Sequence, residues 1–276
     1  MTIGMDAVDH ARRFGGVRRL YGEAALQRFQ HAHVCVIGIG GVGTWAVEAL
    51  ARNAIGALTL IDLDHIAESN VNRQLHALDT EFGKAKVVAM AERIRHINPT
   101  CTVHGIEEFI TAQNVDAMLS RGYDVVLDAI DDARAKVAIA AWCRAHRMPL
   151  VTTGGAGGRL DPTRIQTGDL ARAKGDRLLA KVRNQLRRDH GFAKGEKAKF
   201  GIPCVYSDEQ VRKPDASCAV DEATVDGAAV AQVDNPLTGL NCAGYGSSVC
   251  VTAPFGMAAA ALVLGLLQSP VPGPKA

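Results

Sequence analysis

The sequence predicts an α/β fold with a mostly parallel central sheet. Three observations carry this expectation: short apolar runs rich in β-branched residues, helical patterns alternating with them, and a glycine turn joining the first such pair. The run Val34 to Ile37 leads directly into Gly38, Gly40, Gly41 and Gly43, and from Thr44 the apolar positions Ala46, Val47, Ala49, Leu50 and Ala51 recur at helical spacing. A buried strand entering a glycine turn that opens a helix is a Rossmann-like unit, and the amides at such a helix start bind phosphate. A second apolar run, Ala57 to Ile61, ends at Asp62, where a doubly wound fold places the carboxylate that holds a ribose. This much fits any nucleotide or dinucleotide.

The tail of the unit narrows the choice. Asp62 and Asp64 are followed by Asn70, Asn72, Arg73 and Gln74, and then by Lys84 and Lys86. A redox dinucleotide needs no cationic cluster there, because helix dipole and amides hold its pyrophosphate, whereas a triphosphate under attack needs fixed positive charge. Arg73 and Lys86 can supply it; a solvated polar loop is the plainer alternative. The next helix runs from about Lys84 to Asn98, is ended by Pro99, and buries Ala85, Val88, Ala89 and Ile94. A lysine in its first turn opposes the dipole, so Lys84 or Lys86 marks an anion to be held. Residues 101 to 107 read as a strand and 114 to 119 as a short helix. Tyr123 to Ile130 is the next core strand, ending at Asp128, Asp131 and Asp132 at the carboxyl end of a parallel strand, where open α/β sheets place ligands. Acids so close raise one another's pKa unless a cation neutralises them; Mg²⁺ bound to ATP is the natural one, while helix capping accounts for Asp132 or Asp128. A helix over 133 to 146 and a strand over 149 to 153 precede the small residues Gly154 to Gly158, a run that permits close backbone approach or merely a tight turn.

The rest of the chain is read more coarsely. Residues 13 to 31 form a helical lead-in with Leu20, Ala24, Leu26 and Phe29 on its apolar face. Residues 172 to 199 carry ten Lys or Arg against three Asp or Glu. They define a basic helical insertion at about 170 to 200, with Leu178, Leu179, Val182 and Leu186 inward and Lys181, Arg183, Arg187 and Arg188 on the wet side. Such a face is usually simply solvated, and no interleaved aromatics point to base stacking. Residues 203 to 240, rich in Pro, Asp and Gly, read as a mobile lid or crossover loop. Cys242 is either a small buried hydrophobe or a reactive thiol, as are Cys204 and Cys218. The apolar stretch 249 to 267 is long enough to span a membrane, but Pro254, Gly256 and its alanines favour a buried core helix, so no stable membrane insertion is expected. With 276 residues, 47% of them hydrophobic, and a net charge of +2, the chain reads as a single domain over 1–276. Seven cysteines without a CxxC pair predict neither zinc nor a disulfide framework, and Asp6, Asp9, Arg12 and Arg13 interrupt any signal peptide, so the expected location is cytoplasmic.

The motifs GIGGVG, DLD, NVNRQ, GKAKV and DAIDD resemble the ubiquitin-activating-enzyme-like (ThiF/MoeB/HesA) superfamily, whose bacterial members adenylate the C-terminus of sulfur-carrier proteins. Within it, RFGGVRRLYGEAAL, LVTTGGAGGRLDPTRIQTGDLA and NCAGYGS are similar to the tRNA threonylcarbamoyladenosine dehydratases, from about Arg13 to Leu267. The resemblance implies an ATP-dependent cyclising dehydration of threonylcarbamoyladenosine in tRNA, with activation of a sulfur-carrier or ubiquitin-like protein C-terminus as the alternative. An NAD-dependent oxidoreductase and a binding module for sulfur-transfer proteins are more distant rivals. It implies that Gly38, Gly40, Gly41, Gly43, Asp62, Asp64, Asn70, Arg73, Gln74, Lys86, Asp128 and Asp131 bind nucleotide. Arg73, Lys86 and Asp131 would serve the chemistry, with Cys242 as a weaker candidate and Asp131 holding Mg²⁺. A sodium or potassium ion (Na⁺ or K⁺) near Gly154, Gly155 and Gly157 is also implied. So is a homodimer in which an arginine reaches the partner's ATP. The family's RYSRQ pattern puts Gly16 at that arginine's place and leaves Arg13, Arg18 or Arg19 as substitutes. With tRNA as the implied substrate, the basic face of residues 172 to 199 is either simply solvated or contacts the tRNA phosphates, and a cysteine desulfurase or sulfur-acceptor system is a further implied partner.

Overall fold

The computed structural model describes residues 8–212 and 245–268. Two helices open the chain, α1 (His10–Tyr21) and α2 (Glu23–His31). Strands and helices then alternate through β1 (His33–Ile37), α3 (Gly43–Arg52), β2 (Ala57–Ile61), α4 (Lys86–Ile97), β3 (Thr102–Ile106), α5 (Val115–Leu119), β4 (Val125–Asp128), α6 (Ala133–Ala145) and β5 (Leu150–Thr153). The chain continues with β6 (Ile165–Asp169), α7 (Arg177–Asp189), β7 (Pro203–Ser207) and α8 (Val249–Gln268). The seven strands form one sheet in the order β3-β2-β1-β4-β5-β7-β6. Every pairing is parallel except that of β6 with β7.

A strand buried on both faces needs apolar residues at successive positions, because its side chains alternate between two cores. In β1, Val34 and Val36 enter the core shared with α3, α4 and α8, while Cys35 and Ile37 enter the core shared with α5, α6 and α7. The basic segment therefore contributes a helix to a principal layer. Leu178, Leu179, Val182 and Leu186 of α7 are all buried there, as the helical pattern predicts.

Several expectations are corrected. The lead-in is two helices, because Gly22 takes φ +86 and breaks the run, so one apolar stripe cannot continue through it. Leu20 is 77% exposed and Ala24 is exposed, while Phe14, Ala25, Leu26 and Phe29 are buried. Ala85, Ala89 and Ile94 are buried as expected, but α4 begins at Lys86 and turns Val87, Met90 and Ala91 inward, while Val88 faces out. The lid expected from 203 begins as β7, an interior strand of the sheet; residues 213–244, which hold the rest of that segment with Cys218 and Cys242, lie outside the described residues. Strand β6 was not anticipated, since as an exposed edge with the sequence IQTGD it carries no apolar run.

Among the described residues α8 is the one helix long and apolar enough to cross a membrane. Here it packs along α3 and over β4, β5 and β7. Contact with α3 is close because Gly256 has no side chain: a Cβ there would overlap the Val42 carbonyl and lie 2.7 Å from Trp45 Cβ. Gly256→Ala should therefore destabilise the protein by about 1–3 kcal/mol through overpacking, read as a lowered Tm in thermal unfolding. Gly265→Ala, where a Cβ meets nothing within 4 Å, should leave Tm unchanged or slightly raised.

Candidate active site

The strand order reverses between β1 and β4, and a doubly wound sheet opens its ligand crevice at the carboxyl ends of such a pair. The glycine turn follows β1 and the acid-rich turn follows β4, so the two motifs meet. Gly38 takes φ +85, and a Cβ on it would lie 2.9 Å from the Ile130 side chain and 3.0 Å from the Ala129 backbone. A Cβ on Gly43 would overlap the Gly38 carbonyl. The turn thus folds back on itself at backbone contact distance, which only glycine allows. Gly40 faces open space, and Gly41 lies under the stem of Arg73, whose Cγ would be 3.2 Å from an added Cβ.

Asp62, at the end of β2, fixes that turn. Its carboxylate accepts the Ile39 amide at 2.6 Å and the Asp64 amide at 2.9 Å. Lys86 Nζ lies 2.6 Å from Asp64 Oδ2 and 4.0 Å from Asp62 Oδ1. Burial raises the Asp62 carboxyl above its ordinary value, against the opposing pull of Lys86 and the two amides. Lys86 is the first residue of α4 and is buried, whereas Lys84 is engaged at the surface by Glu81 and Glu92. The choice between the two lysines is therefore made by position: only Lys86 sits with Asp62 beside the glycine turn.

The segment 68–76 is pinned over the same turn. Asn70 is buried, and its Oδ1 accepts the Ala67 amide at 3.1 Å while its carbonyl accepts the amides of Arg73 and Gln74. The Arg73 carbonyl accepts Trp45 Nε1 from α3 at 3.1 Å and Thr252 Oγ1 from α8 at 3.4 Å. Its guanidinium donates to the Ser69 carbonyl and to Asn72 Oδ1, both at 2.9 Å. His76, not anticipated from sequence, reaches the Ile39 carbonyl with Nε2 at 3.1 Å. Burial pushes its pKa down to about 4, so the ring is neutral and donates that proton. His76 Nδ1 and Gln74 Oε1 are buried acceptors without a partner among the described residues. No pattern in the sequence marks His76, since it repeats no period and stands in an irregular turn.

The three acids after β4 separate in role. Asp132 caps α6, accepting the Ala135 amide at 2.8 Å. Asp128 is 1% exposed and receives Lys136 Nζ at 3.0 Å, Thr152 Oγ1 at 2.8 Å and the Ile130 amide at 3.2 Å. The carboxylate expected at the nucleotide is enclosed, and the cation beside it is Lys136, a residue of the chain. The available signal was the place of Lys136 on the stripe formed by Ala133, Val137 and Ala140 of α6, where an apolar residue would be expected. Asp131 lies half-buried between the other two. Among the described residues no three His, Cys, Asp or Glu side chains cluster as a metal site.

The loop after β5 is organised by a buried ion pair. Asp176 Oδ2 accepts the Gly155 amide and Arg159 Nη2, each at 3.0 Å, and its Oδ1 caps α7 through the Leu179 amide at 2.9 Å. A Cβ on Gly154 would overlap that carboxylate. Gly158 takes φ +70. The charged group at this acid is thus a guanidinium, and the loop presents an amide to it. Cys204 is fully buried in β7, and burial pushes its thiol up to about 12, which removes it as a nucleophile.

The chain matches the ThiF family over residues 13–272. It is 50% identical to the tRNA threonylcarbamoyladenosine dehydratase of Escherichia coli K12 over 252 residues, 90% of each chain. It is 44% identical to the enzyme of that name from Haemophilus influenzae over 97% of each. Crystal structures of the E. coli tRNA N6-threonylcarbamoyladenosine dehydratase in complex with AMP and with ATP superpose with TM-scores of 0.79 and 0.80, at 48% and 47% identity, covering 93% of this chain and 94% of theirs. The chain belongs to the ThiF family and, within it, to the group of the tRNA threonylcarbamoyladenosine dehydratases.

Proposed function

We propose that this protein is an ATP-dependent tRNA threonylcarbamoyladenosine dehydratase that activates the threonyl carboxylate as an acyl adenylate and closes the ring within the nucleoside. The observation that carries this reading is the meeting of the glycine turn, Asp62, Lys86 and Arg73 at the switch point of the sheet, in a chain half identical to enzymes of that name. A carboxylate oxygen of the nucleoside attacks the α-phosphorus of ATP and pyrophosphate leaves. A nitrogen of the same urea group then loses its proton, attacks the acyl carbon and expels AMP, so that the nucleoside loses the elements of one water, its carboxylate oxygen departing on AMP. Ring closure is intramolecular and needs no protein nucleophile. Cys242 therefore has no required step, and no sulfur moves, so a sulfur-transfer partner has no part in this chemistry.

Lys86 and Arg73 offset the charge that develops on the phosphates, and the amides of the glycine turn hold them. Asp131 is the acid whose place in the turn suits Mg²⁺, an ion that commonly takes one carboxylate and completes its shell with phosphate oxygens and water. Bound there, Mg²⁺ would neutralise the leaving pyrophosphate. A monovalent ion at Gly154, Gly155 and Gly157 fits less well, because Arg159 already satisfies Asp176, and no step is assigned to it. A homodimer is part of the proposal: Arg13 bonds the Ile97 carbonyl at the far end of α4, about 16 Å along the axis from Lys86 at its start. An arginine of α1 near that point serves a second copy more readily than its own chain.

Replacing Arg73, Lys86 or Asp131 by alanine should lower AMP and pyrophosphate formation with modified tRNA by at least about 10²-fold, with Tm preserved in the Arg73 and Asp131 variants and lowered in Lys86→Ala, which leaves the buried Asp62 without its cation; normal turnover in all three would sink the assignment. The tRNA surface is tested separately. Arg183 and Arg187 donate to main-chain carbonyls within the protein and Arg188 pairs with Asp189, which leaves the exposed Arg172, Lys174, Arg177 and Lys181, with Lys194, Lys197 and Lys199 beyond α7, as candidate phosphate contacts. Changing Arg172, Lys174 and Lys181 together to glutamate should raise the KM for tRNA and flatten its salt dependence by about one unit of slope for each lost contact, leaving the KM for ATP unchanged.

A further inference from the structure

A lysine ammonium has three protons to donate, and that of Lys136 is enclosed by three acceptors: the Asp128 carboxylate at 3.0 Å, the Asp128 carbonyl at 3.4 Å and Thr152 Oγ1 at 3.1 Å. Its side chain is 0% exposed, so it touches neither nucleotide nor solvent. A buried ion pair is poor evidence of stabilisation, because well-packed apolar residues of similar volume often serve as well. Geometry accounts for it better. The other oxygen of Asp128 accepts the Ile130 amide at 3.2 Å, while the Ala129 amide donates to the Ile37 carbonyl at 2.8 Å. Residues 129–131 are thereby held at the end of β4 from both sides. This is the backbone against which Gly38 packs and the turn that carries Asp131.

We propose that Lys136 is a positioning residue for the adenylation step: through Asp128 and Thr152 it sets the turn 129–131, and with it both the floor of the glycine turn and the direction of Asp131. This rests on the reading in which Asp131 holds the Mg²⁺ of ATP. The ammonium acts on the main chain and on a neighbouring carboxylate, and it makes or breaks no bond in the reaction.

The test compares wild type, Asp131→Ala and the charge-free double variant Lys136→Met with Asp128→Leu, measuring Tm, the KM for ATP, kcat, and the Mg²⁺ concentration giving half-maximal AMP formation. The double variant should stay folded with a Tm near wild type, lose tenfold or more in kcat, and need several-fold more Mg²⁺, a requirement that a purely structural pair would not move. A folded double variant with wild-type kcat and Mg²⁺ requirement, beside an inactive Asp131→Ala, overturns the role of Lys136 alone. An active Asp131→Ala overturns both this role and the metal reading on which it rests. If the double variant does not fold, Thr152→Val removes one partner of the network at nearly constant volume, and it should raise the Mg²⁺ requirement in the same direction. An unchanged requirement in that variant refutes the proposal.

Discussion

A polypeptide that turns on itself at backbone contact distance must be held there, and in this protein the holding group is the carboxylate of Asp62. It leaves β2, reaches across to the Ile39 amide in the glycine turn, and is drawn toward Lys86 at the start of α4. Much of the remaining architecture supports that arrangement. His76 secures the next carbonyl of the turn, and α3 and α8 close on the segment that carries Arg73 through Trp45 and Thr252. A carboxylate and an ammonium this far from solvent interact strongly with their neighbours, so the position of each is tightly determined. That is the condition under which fixed charge can act on a phosphate without first reorganising.

A second network stands on the other side of the switch point, built from the same two charges. Asp128 ends β4 as Asp62 follows β2, and Lys136 rises from the first turn of α6 as Lys86 does from the start of α4. Their environments divide the roles. Lys86 keeps an oxygen of a half-exposed acid, Asp64, as its nearest partner, whereas Lys136 is sealed by Asp128 and Thr152. One ammonium borders the crevice, and the other shapes the turn that walls it.

The basic segment is tied into this scaffold. Its helix, α7, buries four aliphatic side chains in the second core, and its cap, Asp176, is also the acid that anchors Arg159 and the amide of Gly155. Asp176 therefore links the glycine-rich loop after β5 to the start of α7, and Arg183 and Arg187 tie the helix to the carbonyls of Ala173 and Ala171. Burial separates the basic side chains of this stretch into those bonded within the protein and those exposed.

Local pattern was enough to reveal the parallel sheet, the glycine turn, the helices α3, α4, α6 and α7, and the location of the crevice, because strand burial and helical periodicity are written into consecutive residues. Arg73, Lys86 and Asp131 could be singled out as a charge pattern beside that turn and by likeness to a family. What no local pattern encodes is how charges pair across the fold. Lys136 against Asp128 and Arg159 against Asp176 pair charges 8 and 17 positions apart, and the neutral His76 reaches a carbonyl 37 positions away at Ile39; each is decided by which elements the fold brings together. The same holds for β6, an edge strand without an apolar run that forms by pairing with β7. The sequence by itself determined the fold class and the chemistry available at the crevice. Tertiary structure alone decided which of the nearby charges face it and which are consumed in holding it open, since the cost of burying a charge without a partner is settled by neighbours that are distant in the chain.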